Sequence, residues 1–399
     1  MDRLVNTVRP YAWGSVTAIP ELLGQEPTGS PQAEMWMGAH PGAPSRTDRG
    51  EGLRPLDELI AADPGGELGA GAVARFGTGL PFLLKVLAAG IPLSIQAHPT
   101  LDQARAGFAA EEALGIPVDA PHRNYRDANH KPELICALDE FDGLCGFRRP
   151  ADAAALMAAL EVPALTPLIG RLRRGPEPEA LREALATVLT MAPDTAAGIV
   201  RLTAEAVDKA AAGDPDGPYA PYALISRTFP GDIGLLAGML LNHVRLQPGE
   251  ALYLGAGVPH GYLYGTAVEL MANSDNVLRA GLTPKHIDVP ELMKVVGFTP
   301  ADPDVLRPVP VPGTPGEELY PVPIDEFRLS RFRLDGQDRR VDGRAPQILL
   351  CTAGAARLTA ADGQTLDLAR GESAFLPATG ADTVLAGTGA TVFRATVTL

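Results

Sequence analysis

The 399-residue sequence predicts a mainly β protein with a helical insertion, organised as two jelly-roll β domains plus an α-helical domain. Three observations lead there. Short apolar runs separated by Gly and Pro turns, such as "GLPFLLKVL", "IPLSIQAH" and "KPELICAL", fill the chain from Met1 to about Arg148. From Ala151 to about Leu241 apolar residues recur at three- and four-residue spacing among good helix formers. Strand texture then resumes, and a Pro-rich connection, "RPVPVPGTPGEELYPVP", sets off a final β-rich segment. The expected division is a first β domain begun by residues 1–149, a helical domain 150–241, the rest of the first β domain 242–305, and a C-terminal jelly roll 306–399.

Within the first segment, "IPLSIQAHPT" reads as a strand. Side chains two apart in a strand share a face, so Ser94, Gln96 and His98 would line one wall, and Leu93, Ile95 and Ala97 the other. By the same rule "NHKPELICAL" puts Lys131 and Glu133 on one face. In the helical segment, "EPEALREALATVLTM" and "DTAAGIVRLTAEAVDKAAAG" read as amphipathic helices, the second with Asp194 as its N-cap and Gly213 at its end. "GDPDGP" is a turn within that module. After it, "PGEALYLGAGVPHGYLYG" brings a Gly-rich turn to His260, with Tyr262 and Tyr264 on the same side if the strand continues. The last 94 or so residues have the short strands and turns of a jelly roll.

Composition narrows the function. With 46% hydrophobic residues the chain buries a large core, and no apolar run approaches the about 20 residues of a membrane span. "MDRLVNTVRPYAWGS" lacks the apolar centre of a signal peptide, and Cys136, Cys145 and Cys351 form neither a disulfide framework nor a CxxC site. A cytoplasmic setting is expected. A formal charge of −14 argues against a general nucleic-acid footprint, so an anionic ligand has to be held locally. Only five lysines occur, and Lys85, Lys131 and Lys285 fall in or beside the segments singled out here.

Gln96, His98, Glu133 and His260 together make a mixed N/O ligand set from sequence-distant strands, the way a β-barrel builds a pocket at its mouth. The turn before His260 supports this: Gly249, five residues, Gly255-x-Gly257-x-x-His260 resembles the second cupin motif with Gly255 in place of its usual Pro. Gln96-x-His98 stands where the first cupin motif has two histidines. A degenerate echo, Gly371, five residues, Pro377-x-Thr379, lies in the C-terminal segment, and no histidine follows His286. The last domain is therefore expected to be a cupin without metal.

"YAWGS", "AEMWMGAHPGAPS", "PLSIQAHP", "NHKPEL", "GAGVPHGYLYG" and "VELMANSDNVLRAGLTPK", in this order, resemble type I mannose-6-phosphate isomerase, the zinc-dependent phosphomannose isomerase family, over most of the chain. The resemblance implies interconversion of mannose 6-phosphate and fructose 6-phosphate through an enediol. It implies one zinc ion per chain on Gln96, His98, Glu133 and His260, and an active-site arginine at Arg279. Two neutral imidazoles, an amide and one carboxylate leave such an ion a formal charge of about +1 with which to polarise a carbonyl.

Proton transfer needs an acid/base, for which Glu269, Lys131, His130 and Arg279 are candidates. Arg279 is permanently charged and suits electrostatic support, while Glu269 is the better ordinary base. Lys85, Ser94, Lys285 and Arg279 are the expected phosphate donors; Tyr262, two residues past a ligand, and His130 join them as substrate contacts. Trp13, Trp36 and His40 read as packing residues. The expected partner is a small sugar phosphate, with no nucleic acid, membrane or obligate protein partner. Two other readings are a different metal-dependent cupin enzyme and a non-catalytic sugar-phosphate sensor; "NHKPE" disfavours the first and the complete ligand set the second.

Overall fold

A computed structural model describes residues 1–399 and is mostly β-sheet with eleven α-helices. The larger sheet has eleven strands, running through Val305–Leu306, Ala251–Leu254, Glu133–Ala137, His260–Ala272, Phe82–Ala89, Glu34–Gly38 and Thr7–Arg9 in spatial order. All its pairings are antiparallel, so strands from either side of the helical segment interleave.

The strand His260–Ala272 belongs to both walls of this sheet. Its second part pairs with Phe82–Ala89 and Glu133–Ala137, and its first part pairs with Phe141–Phe147 and Gln96. The change occurs at Gly265, whose φ of 117° and close approach leave no room for a side chain: a Cβ there would lie 2.6 Å from the Glu140 carbonyl oxygen. This bend folds the sheet around an interior filled by Leu87, Ile135, Phe141, Leu252, Tyr262 and Ala267.

The opposite face of the same sheet packs on the C-terminal region. Leu84, Val86, Leu134, Val268 and Leu270 share one core with Tyr320, Phe327, Leu329, Ile348, Phe375 and Phe393. In the C-terminal region a seven-stranded sheet faces a four-stranded one, and Phe332, Leu349, Cys351, Leu358 and Leu385 fill the space between. The N-terminal Asp2–Arg3 strand pairs with Ser373–Leu376, tying the chain's start to that sheet.

The helical segment runs from Pro150–Ala158 through Gly234–Met239, as its periodicity predicts. Its core joins Ile95, Ala97, Leu144, Leu263, Leu278 and Ala280, so the helices brace the wall that carries Gln96. Helix Pro193–Gly213 ends where expected but begins differently: Ala192 is the N-cap, Pro193 occupies the first turn, and Asp194 lies inside it. A first-turn carboxylate still faces the positive end of the helix.

Besides the five-residue helix Ala18–Leu22, the reading of residues 1–148 as β-rich missed three longer helices, Leu56–Ala62, Pro64–Phe76 and Leu101–Ala113. Their start signals are local: Asp63 caps the second, and Thr100 with Gln103 forms a capping box at the third. No helix is long and apolar enough to cross a membrane.

Candidate metal centre and active site

His98, Glu133 and His260 are fully buried and bring their ligand atoms within 4.8 Å of one another. Each has a different origin. Glu133 opens the strand Glu133–Ala137, His260 opens the strand bent at Gly265, and His98 follows the two-residue strand Gln96–Ala97. Gly257, in the turn before His260, donates its N–H to the His98 carbonyl at 2.8 Å and so ties the two segments together.

Hydrogen bonds set both imidazole tautomers. His98 donates from Nδ1 to the Asn276 carbonyl at 2.8 Å, and His260 from Nδ1 to the Val258 carbonyl at 2.9 Å. Each Nε2 is left buried without a hydrogen-bond partner. The two carboxylate oxygens of Glu133 face these nitrogens, Oε1 at 3.4 Å from His98 and Oε2 at 3.3 Å from His260. Burial first, and Lys131 and His260 besides, lower His98 to a pKa of about 4 against the pull of Glu133, so its ring is neutral near pH 7. Glu133 is held well below the ordinary carboxylate range: burial opposes ionisation, but Lys131 and both histidines outweigh it.

The Nε2 atoms of His98 and His260 and the carboxylate of Glu133 thus converge on one buried point. Such an array suits a divalent cation with a preference for N and O ligands, such as zinc. Gln96 stands opposite His260 in the strand register and opposite Arg279 on its other side, so all three side chains share one face. The amide is thereby available as a fourth ligand.

A second cluster crosses the inner face of the sheet. Trp36, Lys85, Glu269 and Ile135 form one row through four strands in register. The Lys85 amine lies 3.0 Å from Glu269 and 3.4 Å from Glu34, while Trp36 donates its indole N–H to Glu34 at 2.7 Å. Burial would lower Lys85, yet the combined field of Glu269, Glu34 and Glu133 holds it above its ordinary value, so it stays a cation. Glu269 moves the other way: burial, reinforced by Glu133 and Glu34, raises its pKa despite Lys85. The Tyr262 hydroxyl donates to Glu133 at 3.4 Å, and burial, with the charges of Glu133 and Glu269, holds its pKa well above the ordinary value. Lys131 closes the group with an ion pair of 3.0 Å to Glu133.

A third cluster is cationic. Burial and the charge of Arg126 lower the pKa of Arg279; burial, Arg279 and Arg126 lower that of Lys285. None of the three forms an ion pair with a carboxylate.

Several sequence expectations change here. Lys85, expected among the phosphate donors, is ion-paired with Glu269 and Glu34, because strand register sets it opposite Glu269. His130 turns its Nε2 to Glu326 at 2.8 Å, a contact that holds Glu326 at a pKa of about 2. Ser94 is half-buried but precedes the strand, which spans only Gln96–Ala97, and Leu93 packs toward the sheet interior rather than with Ile95. Tyr264 is 55% exposed, since a register shift after Tyr262 reverses its direction. Trp36 and His40 are buried, as packing residues should be, although Trp36 also anchors Glu34.

Sequence reasoning missed Arg126, Glu34 and Asn276. Asn276 is fully buried; its side chain accepts from the Arg126 N–H at 2.7 Å and donates to the carbonyls of Asp127 and Asn129, both at 2.8 Å. It therefore fixes the loop bearing Arg126 while its own carbonyl orients His98. Its place in "NSDN", inside a segment already singled out, was the available signal.

Residues 1–150 match the family described as phosphomannose isomerase type I, catalytic domain. Mannose-6-phosphate isomerase of Escherichia coli K12 is 43% identical over 393 residues, 98% of each chain. The human mannose-6-phosphate isomerase is 34% identical over 355 residues, 82% of this chain and 81% of its own. A crystal structure of mannose 6-phosphate isomerase from Salmonella typhimurium bound to substrate and a zinc atom superposes with a TM-score of 0.90 at 40% identity, covering 100% of both chains. With near-complete coverage by relatives of one kind, and a buried His, Glu, His centre that suits a divalent metal, this chain belongs to the type I mannose-6-phosphate isomerase family.

Proposed function

We propose that the chain interconverts mannose 6-phosphate and fructose 6-phosphate through an enediol, with one zinc ion per chain held by Gln96, His98, Glu133 and His260. The observation that carries this reading is the pair of buried, unpartnered imidazole nitrogens facing the two oxygens of Glu133. When bound, zinc supplies a positive charge that polarises the sugar carbonyl and favours negative charge on oxygen.

The remaining chemistry falls to the protein. Glu269 is the proton carrier, taking the proton from C2 of the aldose and returning it to C1. Its raised pKa makes it a stronger base than an ordinary carboxylate, and Lys85 keeps it ionised and oriented. Tyr262 and Lys131 fix Glu133 from either side, leaving its charge directed at the metal position. Arg126, Arg279 and Lys285 form the phosphate cradle, where unpaired cations gain most from an incoming dianion; Ser94 adds a hydroxyl nearby. His130, bound to Glu326, supports the loop before Lys131 rather than the sugar.

The division into a catalytic cupin built from 1–149 and 242–305, a helical domain 150–241 and a metal-free cupin 306–399 belongs to the same proposal. It is supported by the two motif-bearing segments and by the filling between the two C-terminal sheets, which is apolar apart from a hydrogen-bonded group of Glu317, Ser330, Gln347 and Arg394 and contains no histidine. A sugar phosphate is the small-molecule partner, and a cytoplasmic location is consistent with three buried free thiols.

Isomerisation in deuterated water tests the chemistry. An enediol route exchanges the migrating proton with solvent, so deuterium enters the product; transfer with complete retention of the original hydrogen would rule out Glu269 as a solvent-exchanging base.

A further inference from the structure

Besides its apolar packing on the wall that carries Gln96, the helical segment makes a polar contact with the loop after Arg279. Asp232, in the turn before the helix Gly234–Met239, directs its carboxylate at the loop between Arg279 and Lys285. Oδ1 accepts from the Leu282 N–H at 3.0 Å and from the Gly234 N–H at 2.7 Å, and Oδ2 accepts from the Thr283 N–H at 3.3 Å. Asp232 has no cationic partner; its charge is met by backbone donors alone.

The loop needs that support. Leu282 is buried with a φ of 56°, a left-handed conformation that a leucine rarely adopts, and only one other non-glycine residue in the chain does so. Gly281, at φ 129°, meets Gly234 backbone to backbone: a Cβ on Gly281 would stand 2.5 Å from the Gly234 Cα. On its other side the loop is pinned to Ile95, which accepts from the Ala280 N–H at 2.8 Å and donates to the Gly281 carbonyl at 3.1 Å. The Thr283 hydroxyl then accepts from the Lys285 N–H at 3.1 Å. A continuous chain of hydrogen bonds therefore runs from Asp232 through Thr283 to Lys285.

We propose that Asp232 is a positioning residue for substrate phosphate: by holding Leu282 and Thr283 in the left-handed turn, it sets the separation of Arg279 and Lys285. The inference rests on the reading that these two cations bind the phosphate. It gives the helical domain a part in substrate affinity, although it contributes no group that touches the sugar.

The test compares Asp232→Ala, Asp232→Asn, Thr283→Ala and Lys285→Ala in the zinc-loaded full chain, with inorganic phosphate as a competitive inhibitor. Asp232→Ala should raise KM for mannose 6-phosphate and Ki for phosphate together, by about tenfold, with kcat and zinc content close to wild type. Asp232→Asn keeps an acceptor for Leu282 and should recover part of the loss; Thr283→Ala should show a smaller rise of the same kind. Thr283→Ala decides the matter if Asp232→Ala fails to fold. Unchanged KM and Ki in both, beside a Lys285→Ala that raises them, would overturn the positioning role and leave the phosphate reading intact. A change confined to kcat would overturn it too. A Lys285→Ala with wild-type Ki would remove the phosphate reading itself.

Discussion

The Lys85 amine and the Glu269 carboxylate meet at 3.0 Å from directly opposed positions on neighbouring strands, both buried, with Glu34 behind the lysine at 3.4 Å. The buried lysine between two carboxylates holds Glu269 in place through a charge-assisted contact that it shares with Glu34. The arrangement favours a base that is ionised and directed without being neutralised.

Glu269→Gln should keep zinc and fold while lowering kcat about 10³-fold, the usual worth of a positioned acid/base, with KM changed far less. Zinc analysis beside steady-state kinetics on mannose 6-phosphate checks it. A variant retaining a tenth or more of wild-type kcat would pass the base role to another group.

Lys85→Met removes the partner that lowers Glu269. With the cation gone, the carboxyl pKa rises further, so the acid limb of kcat/KM should move to higher pH. Two buried carboxylates lose their counter-charge as well, at a cost of about 3–5 kcal/mol of stability. A pH–rate profile with an unmoved acid limb would contradict the coupling.

The metal-free protein should lose stability as pH falls from 6.5 toward 4. The folded state holds His98 at about 4 while the unfolded chain protonates it at its ordinary value of 6.5, so the unfolded state binds more protons across that window. Stability is complete above 6.5 and declines by about 3 kcal/mol on the way to 4. Urea midpoints of chelated wild type and His98→Asn, compared at both ends, isolate this slope; equal slopes would be inconsistent with a neutral buried His98.

How much of the site was legible in the sequence depended on the range of the interaction. The convergence of His98, Glu133 and His260 was readable because ligand chemistry restricts residue type and the turn before His260 has a recognisable glycine spacing. The helical segment was readable from its period. Lys85 and Glu269 lie 184 positions apart, and only strand register brings them together. Arg126 sits in an aperiodic loop whose course is set by Asn276, again a distant residue. Tyr264 faces away from the side that simple alternation gives it because a register shift of one residue reverses every later side chain, and nothing in "HGYLYG" marks it. The helices between 56 and 76 escape a reading by texture since their Gly and Pro content resembles turn chemistry, although Pro64 lies at the start of a helix, where it is tolerated.

Gly265→Ala should be costly for two separate reasons, a φ of 117° and a Cβ 2.6 Å from the Glu140 carbonyl oxygen. A loss of about 2–4 kcal/mol is expected. Since the bend sets where His260 sits relative to Glu269, zinc affinity should fall in the folded fraction. Wild-type stability and zinc affinity would show that the two walls meet without this bend.

Zinc dependence at a single four-ligand centre is tested most directly by back-titration. The protein is stripped with a chelator, and turnover of mannose 6-phosphate is followed as zinc is restored, for wild type and Glu133→Ala prepared together. Activity in the wild type should rise linearly and break at one zinc per chain, while Glu133→Ala stays folded and inactive without a break. Full turnover in the stripped wild type, or a break at one zinc in Glu133→Ala, would contradict the assignment.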